Sequence, residues 1–295
     1  MNGILCIDKP QHMTSFDCCA LLRRLTGEKK IGHAGTLDPM ATGVLPLMFG
    51  KATRAIPLLP THRKSYRAEV QFGFQSDTLD VWGTVSATEK PFPTLSEIES
   101  ILPRFTGDIL QVPPMMSALK KDGVRLYDLA RQGIEIEREA RPVTIYALNI
   151  EDYDRQKGLL TLTCDCSAGT YIRTLCDDMG RALGCGAVLS GLRRTVAAGY
   201  ELSACLTIEQ CRALAQEGTL AVHVLPIETA FETYTALTVT KPQATRFQNG
   251  GELSAERLSR SPRQGEILRV KAPDGTFLGL GRLEQESLRV VRIFV

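Results

Sequence analysis

The amino-acid sequence predicts an α/β fold of the α+β type, in which a large domain, residues 1–233, precedes a small β-rich one, residues 234–295. Three observations lead there. With 295 residues, 43% of them apolar, the chain can bury one large core and a second, smaller one. Alternating strand patterns are interspersed with capped helical stretches over the first part of the chain. From about Thr235 onward the texture changes to short alternating segments with turn signals at Asn249-Gly250-Gly251, Asp274-Gly275 and Gly279 to Gly281, which reads as an all-β module.

Each element has a local reason. Residues 3–8 alternate as a strand, and Thr14 or Ser15 can cap a helix that runs to about Leu25 and stops at Gly27. Residues 32–54, rich in glycine and carrying a proline next to one aspartate, read as a loop followed by a strand. Tyr66 to Phe74 alternates as a strand, and residues 76–83 form a polar turn into another. Helices are predicted from Leu95 to Leu102, from about Arg125 to Gln132 after a glycine turn, and from Tyr171 to Leu183, ending at Gly184. Residues 143–153 and 158–166 read as strands joined at Lys157-Gly158.

Composition narrows the function classes. No window approaches the ~18 to 20 uninterrupted apolar residues of a membrane span. The start, MNGILCIDKP, has an acid and a proline where a signal peptide needs an apolar core, so a cytoplasmic protein with no membrane partner is expected. The nine cysteines are odd in number and contain no C-x-x-C pair, and Cys164 and Cys166 lack a second pair or a nearby histidine, so buried thiols rather than a metal site are expected. The net charge of +2 is unevenly spread. Residues 1–75 hold ten Lys/Arg against five Asp/Glu and residues 235–295 ten against six, a distribution suited to a polyanion bound across two surfaces.

The chemistry centres on Asp38 in Gly-Thr-Leu-Asp-Pro. The proline behind it restricts the aspartate to extended geometry, so the carboxylate is displayed on a stiff loop. Asp-Pro alone reads as a turn, and its context decides. The run GHAGTLDPMATGVLP resembles the signature loop of the TruB family of pseudouridine synthases. Other blocks agree in order: ILCIDKPQHMTS (4–15), KSY (64–66), QVPPMMSALKKDGVRLYDLAR and CSAGTYIRTLCDDMGRALGCGAVLSGLRR. Together they span residues 4 to about 200, and the tail is similar, more diffusely, to the PUA-like β domain of many family members. One departure stands out: the first block usually has Gly before Met-Thr-Ser, and this chain has His12.

The resemblance implies a catalytic domain built on a mixed, largely antiparallel sheet with flanking helices, and a small PUA-like RNA-binding domain. It implies isomerisation of uridine 55 in the T-loop of transfer RNA by a stand-alone monomer that uses no cofactor, no metal and no guide RNA. Asp38 is then the catalytic carboxylate, held ionised by a bidentate contact with Arg173, and Tyr66 lies against the uracil face. His33 supports the RNA as the target base leaves its stack. Asp80 and Leu192 belong to binding and orientation, and Lys9, with Pro10, orders the active-site loop within the substrate-binding set. Two other classes compete: a non-catalytic RNA-binding protein on the same scaffold, and a metabolic α/β enzyme with no RNA substrate. Asp38, Tyr66 and Arg173 together argue against the first, and the basic ends against the second.

Overall fold

The computed structural model describes residues 1–61, 63–121 and 123–295. The chain opens on the buried strand β1 (Gly3–Lys9) and enters helix α1 (Ser15–Thr26) through Thr14. The Thr14 hydroxyl accepts from the Asp17 N–H at 3.0 Å, and the Asp17 carboxylate accepts from the Thr14 N–H at 2.8 Å. This reciprocal cap is worth about 1 kcal/mol. Gly27 ends the helix in the left-handed region at φ 70°, as its position in the sequence predicts.

Strand β2 (Ile31–His33), a loop over 34–41 and strand β3 (Thr42–Phe49) follow. The 32–54 run is thus strand, loop and strand, and its last residues turn into a 3-10 segment, Gly50–Leu58. Strand β4 (Lys64–Phe72) ends at Gly73, and the short hairpin β5 (Phe74–Ser76) with β6 (Val85–Ala87) brackets the polar turn. Then come α2 (Leu95–Ile101), β7 (Gly107–Gln111), β8 (Lys120–Lys121), β9 (Val124–Arg125) and α3 (Leu126–Arg131). The glycine turn expected before α3 includes residue 122 and lies partly outside the described residues. The rest of the first region is β10 (Arg141–Asp154), β11 (Leu159–Cys166), α4 (Ile172–Ala182), β12 (Ala187–Ala197), β13 (Tyr200–Glu201) and α5 (Ile208–Gln216).

Nine of these strands form one sheet in the order β1-β3-β12-β4-β11-β10-β7, with β2 added to β3 and β13 to β12. All its pairings are antiparallel except β3 with β12, so the sheet is mixed and largely antiparallel, as expected. β12 has no counterpart among the predicted elements, yet it lies inside the sheet, between β3 and β4. It pairs Arg193 with Thr42 of β3 on one side and Arg194 with Tyr66 of β4 on the other. The helices α1, α4 and α5 each contribute residues to the large core on the sheet, including Leu22, Leu175 and Ile208.

The C-terminal region departs from an all-β module. Its five-stranded sheet runs β14 (Thr235–Thr238), β16 (Ile267–Lys271), β17 (Phe277–Glu284), β18 (Ser287–Ile293) and β15 (Leu253–Ser254), but helix α6 (Lys241–Gln248) packs against it. The signal was present: Thr240 and Gln243 form a capping box around Pro242. Asn249-Gly250-Gly251 ends this helix instead of turning a hairpin, and Gly279 to Gly281 lies inside β17. A Cβ on Gly279 would sit 2.0 Å from the Arg292 carbonyl oxygen of β18, so that glycine serves close strand approach. Phe277, Leu280 and Phe294 share a core with Ala197, Tyr200 and Phe231, which joins this sheet to the larger one. Among the described residues no helix is long and apolar enough to cross a membrane.

Candidate active site

Asp38 projects from the 34–41 loop, with its side chain 38% exposed. Two buried side chains fix that loop from behind. The Ser15 hydroxyl donates to the Leu37 carbonyl at 3.2 Å and accepts from the Leu37 N–H at 2.8 Å. Arg194, fully buried, donates to the carbonyls of Val44 (2.8 Å), Thr36 (3.3 Å) and Gly35 (3.1 Å). Gly43 has to be glycine here, since a Cβ would lie 2.1 Å from the Arg194 carbonyl oxygen. The loop is therefore held at both ends, and Arg194, two residues past Leu192, is a structural residue that its sequence gives no sign of.

Opposite stands Arg173, the second residue of α4 and only 5% exposed. Its Nη2 lies 3.0 Å from Asp38 Oδ2. The expected bidentate fork is not the arrangement, however. The guanidinium spends its directed hydrogen bonds on the carbonyls of Thr78 (Nη1, 3.0 Å) and Met116 (Nη2, 2.8 Å). Those bonds set its position, and Asp38 meets it through one edge. A bidentate pair does occur at Arg193 and Asp8, Nη1 to Oδ1 at 3.2 Å and Nη2 to Oδ2 at 2.6 Å, tying β12 to β1.

Tyr66 and Leu192 line the same cleft of about 200 Å³ as Asp38 and Arg173. Burial pushes the Tyr66 phenol up to about 12, with the Arg194 cation acting against it, so the phenol is neutral at ordinary pH. The cleft also takes in Lys64, Ser117 and Tyr171, none of which the sequence reading assigned to the site. Lys64 has its ammonium pKa lowered by burial and then by Arg194. Tyr171 is the residue from which α4 departs, two positions before Arg173. A larger cleft of about 530 Å³ lies along α4 past Asp177 and Arg181, and none of the expected site residues lines it.

The remaining expected residues sit around this centre. Asp80 is 6% exposed: Oδ1 accepts from the Thr78 hydroxyl at 2.7 Å and the Trp82 N–H at 3.0 Å, and Oδ2 lies 3.8 Å from Arg173 Nη1. It faces Arg173 and is not among the residues that line the cleft. Lys9 is 0% exposed and donates to the Pro10 (2.8 Å) and Met13 (2.7 Å) carbonyls. That geometry fits ordering of the loop. Burial lowers its ammonium to about 8, with the charge of Asp38 among the opposing influences. His33, at the end of β2, is half-buried with Nδ1 unpartnered, and lies outside the residues that line the cleft. Burial and the Arg194 charge lower its pKa, so its imidazole is neutral at pH 7. Eight cysteines are buried and Cys205 is half-buried, and the described residues contain no group of three or more His, Cys, Asp or Glu placed to hold a metal ion.

Comparison with known proteins decides the family. Residues 23–172 match the TruB family pseudouridylate synthase N-terminal domain, and residues 173–232 match the tRNA pseudouridylate synthase B C-terminal domain. The chain belongs to the TruB family. A tRNA pseudouridine synthase B from Clostridium acetobutylicum is 38% identical over 293 residues, 99% of each chain, and one from Dechloromonas aromatica is 44% identical over 254 residues, 86% of this chain and 84% of its own. Among solved structures, a Cbf5-Nop10-Gar1 complex contains a chain that superposes with a TM-score of 0.76 at 23% identity, covering 99% of this chain and 85% of that one. That likeness concerns the fold alone. The boundary between the two TruB family matches falls inside α4, between Ile172 and Arg173, although α4 and β12 belong to one sheet-and-helix unit with β3 and β4.

Proposed function

We propose that the chain isomerises uridine to pseudouridine at position 55 in the T-loop of tRNA, acting as a stand-alone cytoplasmic enzyme with Asp38 as its essential carboxylate. The observation that carries this reading is the half-exposed Asp38 carboxylate 3.0 Å from buried Arg173 in a cleft walled by Tyr66 and Leu192. A lone, oriented carboxylate beside a flat apolar and aromatic slot suits a detached base that must turn while held. The names of the relatives, identical at 38% and 44% over most of their length, supply the tRNA substrate.

The chemistry makes few demands. The N1–C1′ bond breaks, the uracil turns, a C5–C1′ bond forms, C5 loses a proton and N1 gains one. There is no net redox change and no external group enters, so the reaction needs no cofactor. The carboxylate can assist by adding to the base, by adding to C1′, or by promoting loss of the C2′ proton. Arg173 keeps it aimed, Tyr66 offers a neutral ring and hydroxyl to the base, and Leu192 closes the other wall. Residues 1–233 form the catalytic domain in this reading. Residues 234–295 act as a PUA-like RNA-binding domain, in which Lys241, Arg257 and Arg282 stand exposed for phosphate contacts.

The deciding experiment is incubation of unmodified tRNA with the purified chain, without added cofactor, followed by mapping of pseudouridine. Pseudouridine at position 55, absent with Asp38→Asn, supports the reading. Binding of tRNA with no product from the wild type indicates a non-catalytic RNA-binding protein on the same scaffold.

A further inference from the structure

The loops that bear Asp38 and Asp80 carry between them a feature that the isomerisation itself does not use. His12 sits in the left-handed region at φ 66°, a conformation that residues with a side chain adopt uncommonly. Its imidazole stacks on the indole of Trp82, with ring centroids 4.9 Å apart and planes 21° from parallel. Both residues are exposed, Trp82 by 47%, and Val81 beside it by 38%. An aromatic pair normally hides such surface in a core.

Both partners are anchored to the catalytic loops by their backbones. The His12 N–H donates to the Pro39 carbonyl at 2.9 Å, one residue past Asp38. The Trp82 N–H donates to Asp80 Oδ1 at 3.0 Å, and Asp80 in turn faces Arg173. The stack therefore bridges the loop that bears the carboxylate and the loop that orients its cation. Among the described residues His12 is the only ring stacked on Trp82, which leaves the remaining indole surface to solvent.

We propose that the His12–Trp82 pair is a stacking platform for an unpaired nucleobase of the RNA that neighbours the target uridine. The proposal rests on the reading of the chain as an RNA uridine isomerase. When the target base swings into the cleft, its neighbours in a loop lose a stacking partner, and the exposed indole replaces it. Such stacking is worth about 1 to 3 kcal/mol per base and tolerates any base, since every base has a π-face. Trp82 is thus a positioning residue for the RNA, and the strain at His12 persists because the stack and the Pro39 bond together hold it.

Trp82 is the only tryptophan in the chain, so its emission reports the site directly. The experiment titrates the full chain with an unmodified T-arm hairpin while following tryptophan emission, binding by an independent label on the RNA, and pseudouridine formation. The expected results are quenching that saturates with the labelled-RNA curve, a Kd raised roughly 5- to 150-fold by Trp82→Ala, and near-wild-type Kd in Trp82→Phe. Turnover of Trp82→Ala at saturating RNA stays within about threefold of wild type. His12→Gly, which relieves the backbone strain, weakens binding by less than Trp82→Ala. Emission unchanged at saturation, or wild-type Kd in Trp82→Ala, overturns the proposal while leaving the isomerase reading intact. A fall in melting temperature and turnover with unchanged Kd shows a structural prop and overturns it too. A wild-type chain that forms no pseudouridine overturns the underlying reading instead, and the platform with it.

Discussion

Gln111 grips Tyr171 at two points: its Nε2 donates to the Tyr171 carbonyl at 3.0 Å and its Oε1 accepts from the Tyr171 N–H at 2.7 Å. Gln111 ends β7 and is 2% exposed, while Tyr171 is the residue from which α4 departs. The edge of the sheet thus fixes the start of the helix whose second residue is Arg173. A helix start with no side-chain cap of its own receives its partner from a distant strand.

Replacing Gln111 by Leu keeps the volume, leaves the Tyr171 N–H without its partner and leaves the Tyr171 carbonyl with the Leu175 N–H alone. We expect a loss of about 1 to 3 kcal/mol in urea unfolding and a lower kcat as Arg173 loses its fixed origin. Single-turnover rates and denaturation midpoints equal to wild type would show that the clamp does nothing for the site.

Asp38→Asn retains shape and removes the charge. Isomerisation is expected to vanish while Kd for tRNA stays within about tenfold, roughly 1.4 kcal/mol, because the carboxylate serves chemistry more than affinity. The check is product mapping alongside equilibrium binding, and near-normal turnover of the Asn variant contradicts the assignment.

Lys9 links stability to pH. Its folded pKa of about 8 is below the ordinary 10.5, so the unfolded chain binds this proton more tightly, and stability from this group rises with pH between about 8 and 10.5. Below that window the full penalty is present, about 1.4 kcal/mol for each tenfold loss of proton affinity on folding. Urea midpoints measured across pH 7 to 10.5 for wild type and Lys9→Met test it, because the difference between them must change in that window and stay flat below it.

The C-terminal sheet cannot be removed cleanly, since Phe277, Leu280 and Phe294 cover Phe231 and Ala197 in a shared core. Charge neutralisation separates the roles. Lys241→Gln, Arg257→Gln and Arg282→Gln together are expected to weaken binding of full tRNA and to reduce its salt slope by up to about one unit for each phosphate no longer neutralised, yet to change turnover of a bound T-arm hairpin little. An unchanged salt slope for full tRNA rejects phosphate contacts by these residues.

The strands β1, β4, β10 and β11, the helices α1, α2 and α4, and the Asp38 loop were legible because each carries its cause locally: alternation, a capping residue, a stop glycine, or a proline behind an aspartate. The elements that escaped are informative. β12 lies in a stretch of glycines and arginines, and becomes a strand because β3 and β4 offer ladders on both sides. Helix α5 had a capping box at Thr207 in a stretch for which no element was predicted, and α6 had one at Thr240, a signal outweighed by the turn-rich texture around it.

The sequence by itself determined which aspartate is displayed, which family's blocks surround it, and where the β-rich tail begins, because backbone restriction and pattern are short-range. Only the tertiary structure decided who holds what. Arg194 staples the Asp38 loop from 150 residues beyond Val44, and Arg173 reaches Asp38 through one edge because its other bonds are claimed by Thr78 and Met116. Lys9 is buried under its own turn, and Trp82 meets His12. Hydrogen-bond competition and burial are settled by every element that packs against a group, and a linear pattern carries no record of those neighbours.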